Sequence, residues 1–327
     1  MLRARITGTG SAVPDKVLTN QDLEKMVDTN DEWITTRTGI KERRIAAKDE
    51  YTSTLAIKAA RSALEMVSVS PEQLDMILVA TVTPDFPFPA TACIVQNELG
   101  ANNAVAFDIT AACSGFLYGL SMADAYIKTG AFKKILVIGA ELLTRIVDFT
   151  DRNTCILFGD GAGAVLLEPS EEEKGILSTH IYSNGNHWQL LYLPGLGTRN
   201  PVTEQKTMDE RLYYLRMEGN DVFKYAVRAM GDAATAALEA NGCTADDVKL
   251  LIPHQANRRI IEATGKRVGI PLERIFVNLH KYGNTSAASI PIALDEANRS
   301  GRLNPGDLVL MAAFGGGFTY ASALIKW

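Results

Sequence analysis

The chain has 327 residues, 46% hydrophobic and 22% charged, with a formal net charge of −5. That length exceeds the usual single-core size, so two domains or two fused halves are the starting expectation. The mild acidity gives no general reason to expect nucleic acid or a membrane as partner, and no stretch approaches the ~18 apolar residues of a span.

The start, MLRARITGTGSAVP, lacks the apolar core of a signal peptide, so a cytoplasmic location is expected. From residue 75 to 170 the β-rich runs MILVATV, NAVAFDI, KKILVIGA and AGAVLLE alternate with helical stretches, the pattern of an α/β layered fold. The second half repeats it. At a constant offset of 174 residues, SPEQLDMILVA (70–80) falls on TADDVKLLIPH (244–254), KILV (134–137) falls on LVLM (308–311), and Cys113 falls on Ala287. Matching patterns without gaps point to an internal duplication, with an N-terminal half over 1–174 and a C-terminal half over 175–327. The Gly-, Asn- and charge-rich stretch from about 180 to 220 reads as a connection and cap between the halves.

In AVAFDITAACSGFLYGL a β run ends near Thr110 and Cys113 opens a helix. A thiol there meets the positive end of the helix dipole, which favours thiolate. The other reading of Cys113 is a small buried hydrophobe, and Cys93 and Cys155 keep that reading. Cys243 reads as a loop residue without a partner. The four cysteines form no CxxC pair and have no histidine at ligand spacing, so neither a disulfide framework nor a metal site is expected. Ala112 stands where a GxSxG elbow needs glycine.

His254 closes the apolar run VKLLIP, and Asn284 lies in YGNTSAAS ahead of an apolar helix. A neutral imidazole and an amide can each donate to one developing enolate oxygen, which suits decarboxylation without a metal. Structural roles compete: a solitary histidine is usually structural, and Asn284 could cap the following helix. The glycines of MAAFGGGFTYASALIKW let backbones approach closely or offer N–H groups to an oxyanion, although a GGG run alone is a turn.

Taken together, DTNDEWITTRTGIKERR, DITAACSGF, DRNTCILFGDGAGA, PHQAN, YGNTSAAS and FGGGFTYASALI closely resemble β-ketoacyl-acyl-carrier-protein synthase III of the thiolase superfamily over essentially the whole chain. The resemblance implies a duplicated five-layer αβαβα fold, a homodimer and no cofactor, with acyl-CoA (acetyl-CoA first) and malonyl-acyl carrier protein as substrates. It implies Cys113 as the acyl-accepting nucleophile, with His254 and Asn284 on the malonyl thioester carbonyl. The N–H groups of Cys113 and Gly316 would form the oxyanion hole, and Phe314 would lie by the departing carboxylate. Coenzyme A would meet Thr29, Trp33, Arg37, Arg152, Asn220, Phe223, Ala256 and Asn257.

Acyl carrier protein is acidic. Lys224, Gln255, Arg259, Lys266 and Arg267 are therefore expected to form its docking patch, against the alternative of a solvated basic helix face. Residues around 86–93 and 143–158, with the partner subunit as a further contributor, are expected to line the acyl pocket, Phe86, Phe88 and Leu143 being the candidate walls. A thioester-cleaving thiolase would want a second cysteine near the C-terminal glycines, and that segment has none. A hydroxymethylglutaryl-type synthase would want a glutamate in the first half, where the motifs offer no clear candidate. An inactive partner subunit would lack the Cys, His and Asn set that this chain carries.

Overall fold

The computed structural model describes residues 2–327. Its first half is built on β1 (Arg3–Ala12), followed by a small flap of β2 (Val17–Thr19), α1 (Asn20–Leu23), α2 (Asp31–Thr38) and β3 (Glu42–Arg44). Then come α3 (Thr52–Met66), β4 (Met76–Ala80), α4 (Thr91–Leu99), β5 (Val105–Ile109), α5 (Gly115–Lys128), β6 (Ile135–Leu142), α6 (Arg152–Cys155) and β7 (Asp160–Ser170). The sheet order is β1-β7-β6-β4-β5, with β4 parallel to β5 and β6, and β7 antiparallel to β6 and β1. Every residue of β4 and β6 is buried, because helices cover both faces of the sheet; such strands read as continuous apolar runs.

The second half contains β8 (Gly175–Ser183), β9 (Leu191–Tyr192), α7 (Gln205–Asp209), β10 (Arg216–Met217), α8 (Gly219–Ala240) and β11 (Leu250–Pro253). It ends with α9 (Arg258–Val268), α10 (Leu279–Tyr282), α11 (Ser289–Arg299), β12 (Leu308–Gly315) and β13 (Thr319–Lys326). Its sheet order is β11-β12-β13-β8, the order of the first sheet with β8 in the place of β1 and β11 in the place of β4. The place of β5 is held by a single parallel bridge between Leu251 and Ile275. The offset seen in the sequence recurs in detail: the 3-10 turns Ala112–Ser114 and Ser286–Ala288 correspond, and Ala112 and Ser286 share a left-handed backbone at φ 47° and 49°.

Side-chain alternation along the strands sorts the layers. Met76 and Leu78 of β4 point inward to a core shared with Phe116, Leu117 and Leu120 of α5 and with Ile290 and Leu294 of α11. Ile77 and Val79 point outward to α3 and α4. On the other sheet, Leu310 and Leu324 pack against α8 and α9. The fold is therefore five layers, α3/α4, sheet, α5/α11, sheet, α8/α9, a duplicated thiolase-like αβαβα arrangement. Asp295 ties α11 to the first sheet: its carboxylate accepts from Thr9 Oγ1 (2.7 Å), Ser11 Oγ (2.6 Å) and Arg299 Nε (2.8 Å).

Two local expectations change. β8 runs to Ser183 and forms the edge of the second sheet, so the connection starts at Asn184 and contains β9, α7 and β10. Cys93, read as a core residue, lies on the exposed face of α4. Among the described residues no helix is long and apolar enough to cross a membrane.

Candidate active site

The C-terminal ends of β5, β11 and β12 face the starts of α5 and α11, and the candidate residues gather there. Cys113 is the middle residue of the turn between β5 and α5, so the helix proper starts two residues later than expected, at Gly115. The first residue of the glycine loop presses on this turn. A Cβ on Gly315 would stand 2.5 Å from the Cys113 backbone nitrogen, so only glycine allows the two chains to meet. Thr319 Oγ1 donates to Ala111 O (2.7 Å) and Ser114 Oγ to Thr319 O (3.0 Å), which fixes the contact.

Cys113 is buried, and burial pushes its thiol up to about 12, although the Ser286 hydroxyl and its own backbone N–H act to lower it. Desolvation thus opposes the thiolate that the helix start and the turn's donors favour.

His254 follows β11, and its backbone N–H donates to Ala312 O (2.8 Å) on β12. Its Nδ1 lies 2.6 Å from Ser289 Oγ at the start of α11, and that oxygen also accepts from Gln255 N (3.4 Å). The Ser289 hydroxyl can donate to Nδ1, and in that tautomer the imidazole proton sits on Nε2. Burial lowers the His254 pKa to about 3, so the ring is neutral.

Asn284 is held at both main-chain groups: its N–H donates to Leu157 O (2.8 Å), and its carbonyl accepts from Gly159 N (3.0 Å). Its Oδ1 accepts from Ser286 N (2.9 Å), leaving Nδ2 as the donor end. It does not cap α11, whose N-cap is Ala288. One turn connects the set: Ser286, two residues past Asn284, lines the cavity with Cys113, and Ser289 holds His254. Phe314, also buried, packs its ring 4.6 Å from that of Phe318 at a tilt of 50°.

Cys113, Ser286 and Gly316 form the polar end of a cavity of about 110 Å³ whose walls include Leu143, Ile146, Phe158, Leu191 and Leu215. Leu143 is thus a wall as expected. Phe86 and Phe88, 56% and 87% exposed on the loop before α4, do not line this cavity within the single chain, which leaves them free to reach a partner subunit's pocket. A wider open depression of about 710 Å³, beside Arg3, Asp246 and Lys326, contains none of the candidate residues.

Near α2 the Trp33 ring is flanked by two guanidinium groups, Arg37 at 4.6 Å and Arg152 at 5.0 Å from its centroid. Arg152 is anchored by donating to Asp28 O (2.8 Å). Thr29 Oγ1 is buried with no hydrogen-bond partner. Phe223 lies 5.3 Å under the Arg259 guanidinium, Asn220 is exposed at the start of α8, and Ala256 is half-buried. Asn257 spends its side chain on structure, accepting from Arg259 N (2.8 Å) as the α9 cap and donating to Arg37 O (3.1 Å).

Among the docking candidates, Lys224, Arg259, Lys266 and Arg267 are exposed, with Lys224 paired to Asp221 (3.0 Å) and Arg267 to Asp232 (2.5 Å). Gln255 is a correction. It is buried, donating to Pro253 O (2.8 Å) and Phe276 O (3.1 Å) and accepting from Asn278 N (3.0 Å), so it cannot belong to a docking surface.

Models of 3-oxoacyl-[acyl-carrier-protein (ACP)] synthase III match residues 107–185, and those of its C-terminal region match residues 238–327. The β-ketoacyl-[acyl-carrier-protein] synthase III of Caldanaerobacter subterraneus subsp. tengcongensis is 55% identical over 100% of this chain and 98% of the relative. The chain belongs to the β-ketoacyl-[acyl-carrier-protein] synthase III family. The crystal structure of 3-oxoacyl-[acyl-carrier-protein] synthase III from Aquifex aeolicus VF5 superposes with a TM-score of 0.92 at 51% identity, covering 99% of this chain and 100% of that one. The priming β-ketosynthase of the R1128 polyketide pathway has the same TM-score at 37% identity, covering 99% and 96%.

Within this synthase III site, sequence reasoning missed Glu141 and Ser286. Glu141 is wholly buried near the end of β6; its Oε2 accepts from Thr83 Oγ1 (2.6 Å), Val82 N (3.1 Å) and Thr81 Oγ1 (3.3 Å). A signal was available, since a lone carboxylate inside the apolar run KKILVIGAELL is out of place in a covered strand.

Proposed function

We propose that the chain loads an acyl group from acyl-CoA onto Cys113 and then condenses it with malonyl-acyl carrier protein, giving 3-oxoacyl-acyl carrier protein and CO2. The observation that carries this reading is a nucleophile-bearing turn, at the polar end of an apolar cavity, facing the turn that holds a neutral imidazole and an amide. In loading, Sγ attacks the thioester carbonyl while the N–H groups of Cys113 and Gly316 receive the oxyanion. In condensation, His254 Nε2 and Asn284 Nδ2 donate to the malonyl thioester oxygen as the carboxylate leaves beside Phe314. Apolar walls and a volume of about 110 Å³ suit a short apolar acyl group, acetyl first.

Thr29, Trp33, Arg37, Arg152, Asn220, Phe223, Ala256 and Asn257 lie along the reading's coenzyme A path, with adenine taken by the Arg–Trp–Arg set. Acyl carrier protein docks on Lys224, Arg259, Lys266 and Arg267. The domain reading is two fused halves, 1–174 and 175–327, with the nucleophile in the first and the His/Asn pair in the second. Free cysteines support a reducing, cytoplasmic location. No metal or cofactor enters the scheme.

The test is acyl-dependent formation of 3-oxoacyl-acyl carrier protein from acetyl-CoA and malonyl-acyl carrier protein. Trp33→Ala is expected to raise the KM for acetyl-CoA about tenfold with kcat held, given ~0.5–2 kcal/mol per cation–π contact, and to leave an acetyl-pantetheine substrate unaffected. No product from any short acyl-CoA would refute the function; an equal KM would remove the adenine site alone.

The homodimer forms over β5. This strand ends the first sheet with an unpaired edge, and Val105 at its start is 49% exposed. An uncovered edge invites a second strand, and a two-fold axis would pair β5 with its own copy. Sedimentation equilibrium should give a dimer that Val105→Lys converts to monomer; a wild-type monomer would sink this arrangement.

A further inference from the structure

Ser286 occupies the left-handed turn position that alanine fills at residue 112 in the first half. The backbone there does not demand serine. Yet Ser286 is buried, lines the same cavity as Cys113, and lies close enough to influence both the Cys113 thiol and the Glu141 carboxyl. The packing enforces this placement: a Cβ on Gly139 of β6 would come 2.2 Å from Ala287 O, so the turn sits directly on the strand that carries Glu141.

Facing Glu141 are Thr81, Val82 N–H and Thr83 from the segment after β4, Ser286 from the turn before α11, and Cys113. Only Cys113 of these titrates, and none of them is a cation. Glu141 Oε1 is buried without a hydrogen-bond partner, an open acceptor beside Ser286. An amide oxygen would serve the three donors on Oε2 equally well, and a buried carboxyl without a cation costs stability. An ionisable group in that position therefore calls for a use.

We propose that Ser286 and Glu141 form a proton relay behind Cys113, with Glu141 acting through the Ser286 hydroxyl. The proposal rests on Cys113 being the acyl-accepting nucleophile. As the Sγ–C bond forms, the thiol proton passes to Ser286 Oγ, and the serine's own proton passes to Glu141 Oε1. The thioester C–S bond breaks, and coenzyme A leaves as thiolate, to be protonated by solvent. In condensation the carbanion left by CO2 attacks the acyl carbon, and Sγ departs with the bonding pair. The proton then returns from Glu141 through Ser286 to Sγ, so Glu141 ends as it began. Burial holds the carboxyl up at about 7, where it can take and release a proton near neutral pH.

The experiment is rapid-quench measurement of acyl-enzyme by intact mass, with acetyl-CoA, from about pH 5.5 to 9, on wild type, Glu141→Gln, Ser286→Ala and the double variant. Wild-type loading should rise with pH through an apparent pKa near about 7, because Glu141 must be charged to accept. Both single variants should load at least ~10-fold more slowly and lose that limb. The double variant should be no slower than the slower single. A variant that loads at the wild-type rate, or is slowed but keeps the limb, overturns the relay while wild-type loading leaves the nucleophile standing. Absence of wild-type acylation overturns the Cys113 reading itself. If thermal unfolding shows Glu141→Gln unfolded, Ser286→Ala decides alone, since alanine adopts this backbone at residue 112.

Discussion

Incubated with acetyl-CoA, the Cys113→Ala variant is expected to show no acyl adduct by intact-mass spectrometry, and its turnover should fall by about 10⁴–10⁶-fold, as when a covalent nucleophile is deleted. Four free thiols make the assignment a real choice. Cys93 is exposed on α4, Cys155 is buried at the end of α6, and Cys243 is half-buried after α8. Only Cys113 opens on the apolar cavity beside Gly316. Burial also separates the thiols chemically. A sulfur whose pKa is pushed up to about 12 is almost wholly protonated at neutral pH, so a general alkylating agent should modify exposed Cys93 first. A thioester that fits the cavity should reverse that order. Retention of the adduct in Cys113→Ala, with loss in Cys93→Ala, would move the nucleophile to the surface and dismantle the site.

Local sequence carried much of this site. The succession of apolar strand, small-residue turn and helix at DITAACSGF, and again at YGNTSAAS, is set by neighbours in the chain, and both turns sit where the pattern put them. The duplication was visible for the same reason: a covered parallel strand must read MILVA or LLIP in either half. Burial was harder to read, because it depends on elements far apart in sequence. Gln255 looks polar and therefore exposed, but β11, the 276–278 segment and α11 close over it. Phe86 and Phe88 read as pocket walls, and in the single chain they stand exposed, because whether they wall a pocket depends on what a second subunit brings against them. Glu141 becomes meaningful only when the turn before α11, 145 residues later by Ser286, is laid against β6. The helix-start argument for Cys113 weighed the local dipole and could not see the desolvation that opposes it.

The second large effect concerns the His254 and Asn284 donors. His254→Ala and Asn284→Ala should each lower malonyl-acyl carrier protein decarboxylation by about 10²–10³-fold, the loss of one oxyanion donor, while acetyl loading onto Cys113 stays within a few-fold. Loading uses the backbone donors of Cys113 and Gly316, so the two half-reactions separate by variant. The pH dependence adds a second criterion. Burial disfavours the imidazolium and lowers the His254 pKa to about 3. The ring therefore stays neutral, with Nε2–H available, from about pH 5 to 8, whereas an exposed histidine would charge below about 6.5. Decarboxylation on a preformed acyl-enzyme should accordingly show no acid limb near 6.5. A limb there, or an equal loss of loading in His254→Ala, would mean that the imidazole acts as a titrating base on Cys113 and that the carbonyl-donor role is wrong. Ser289→Ala sharpens the distinction. Without the hydroxyl that supplies Nδ1, the ring can carry its proton on either nitrogen, and decarboxylation should fall by a smaller factor than in His254→Ala while loading holds.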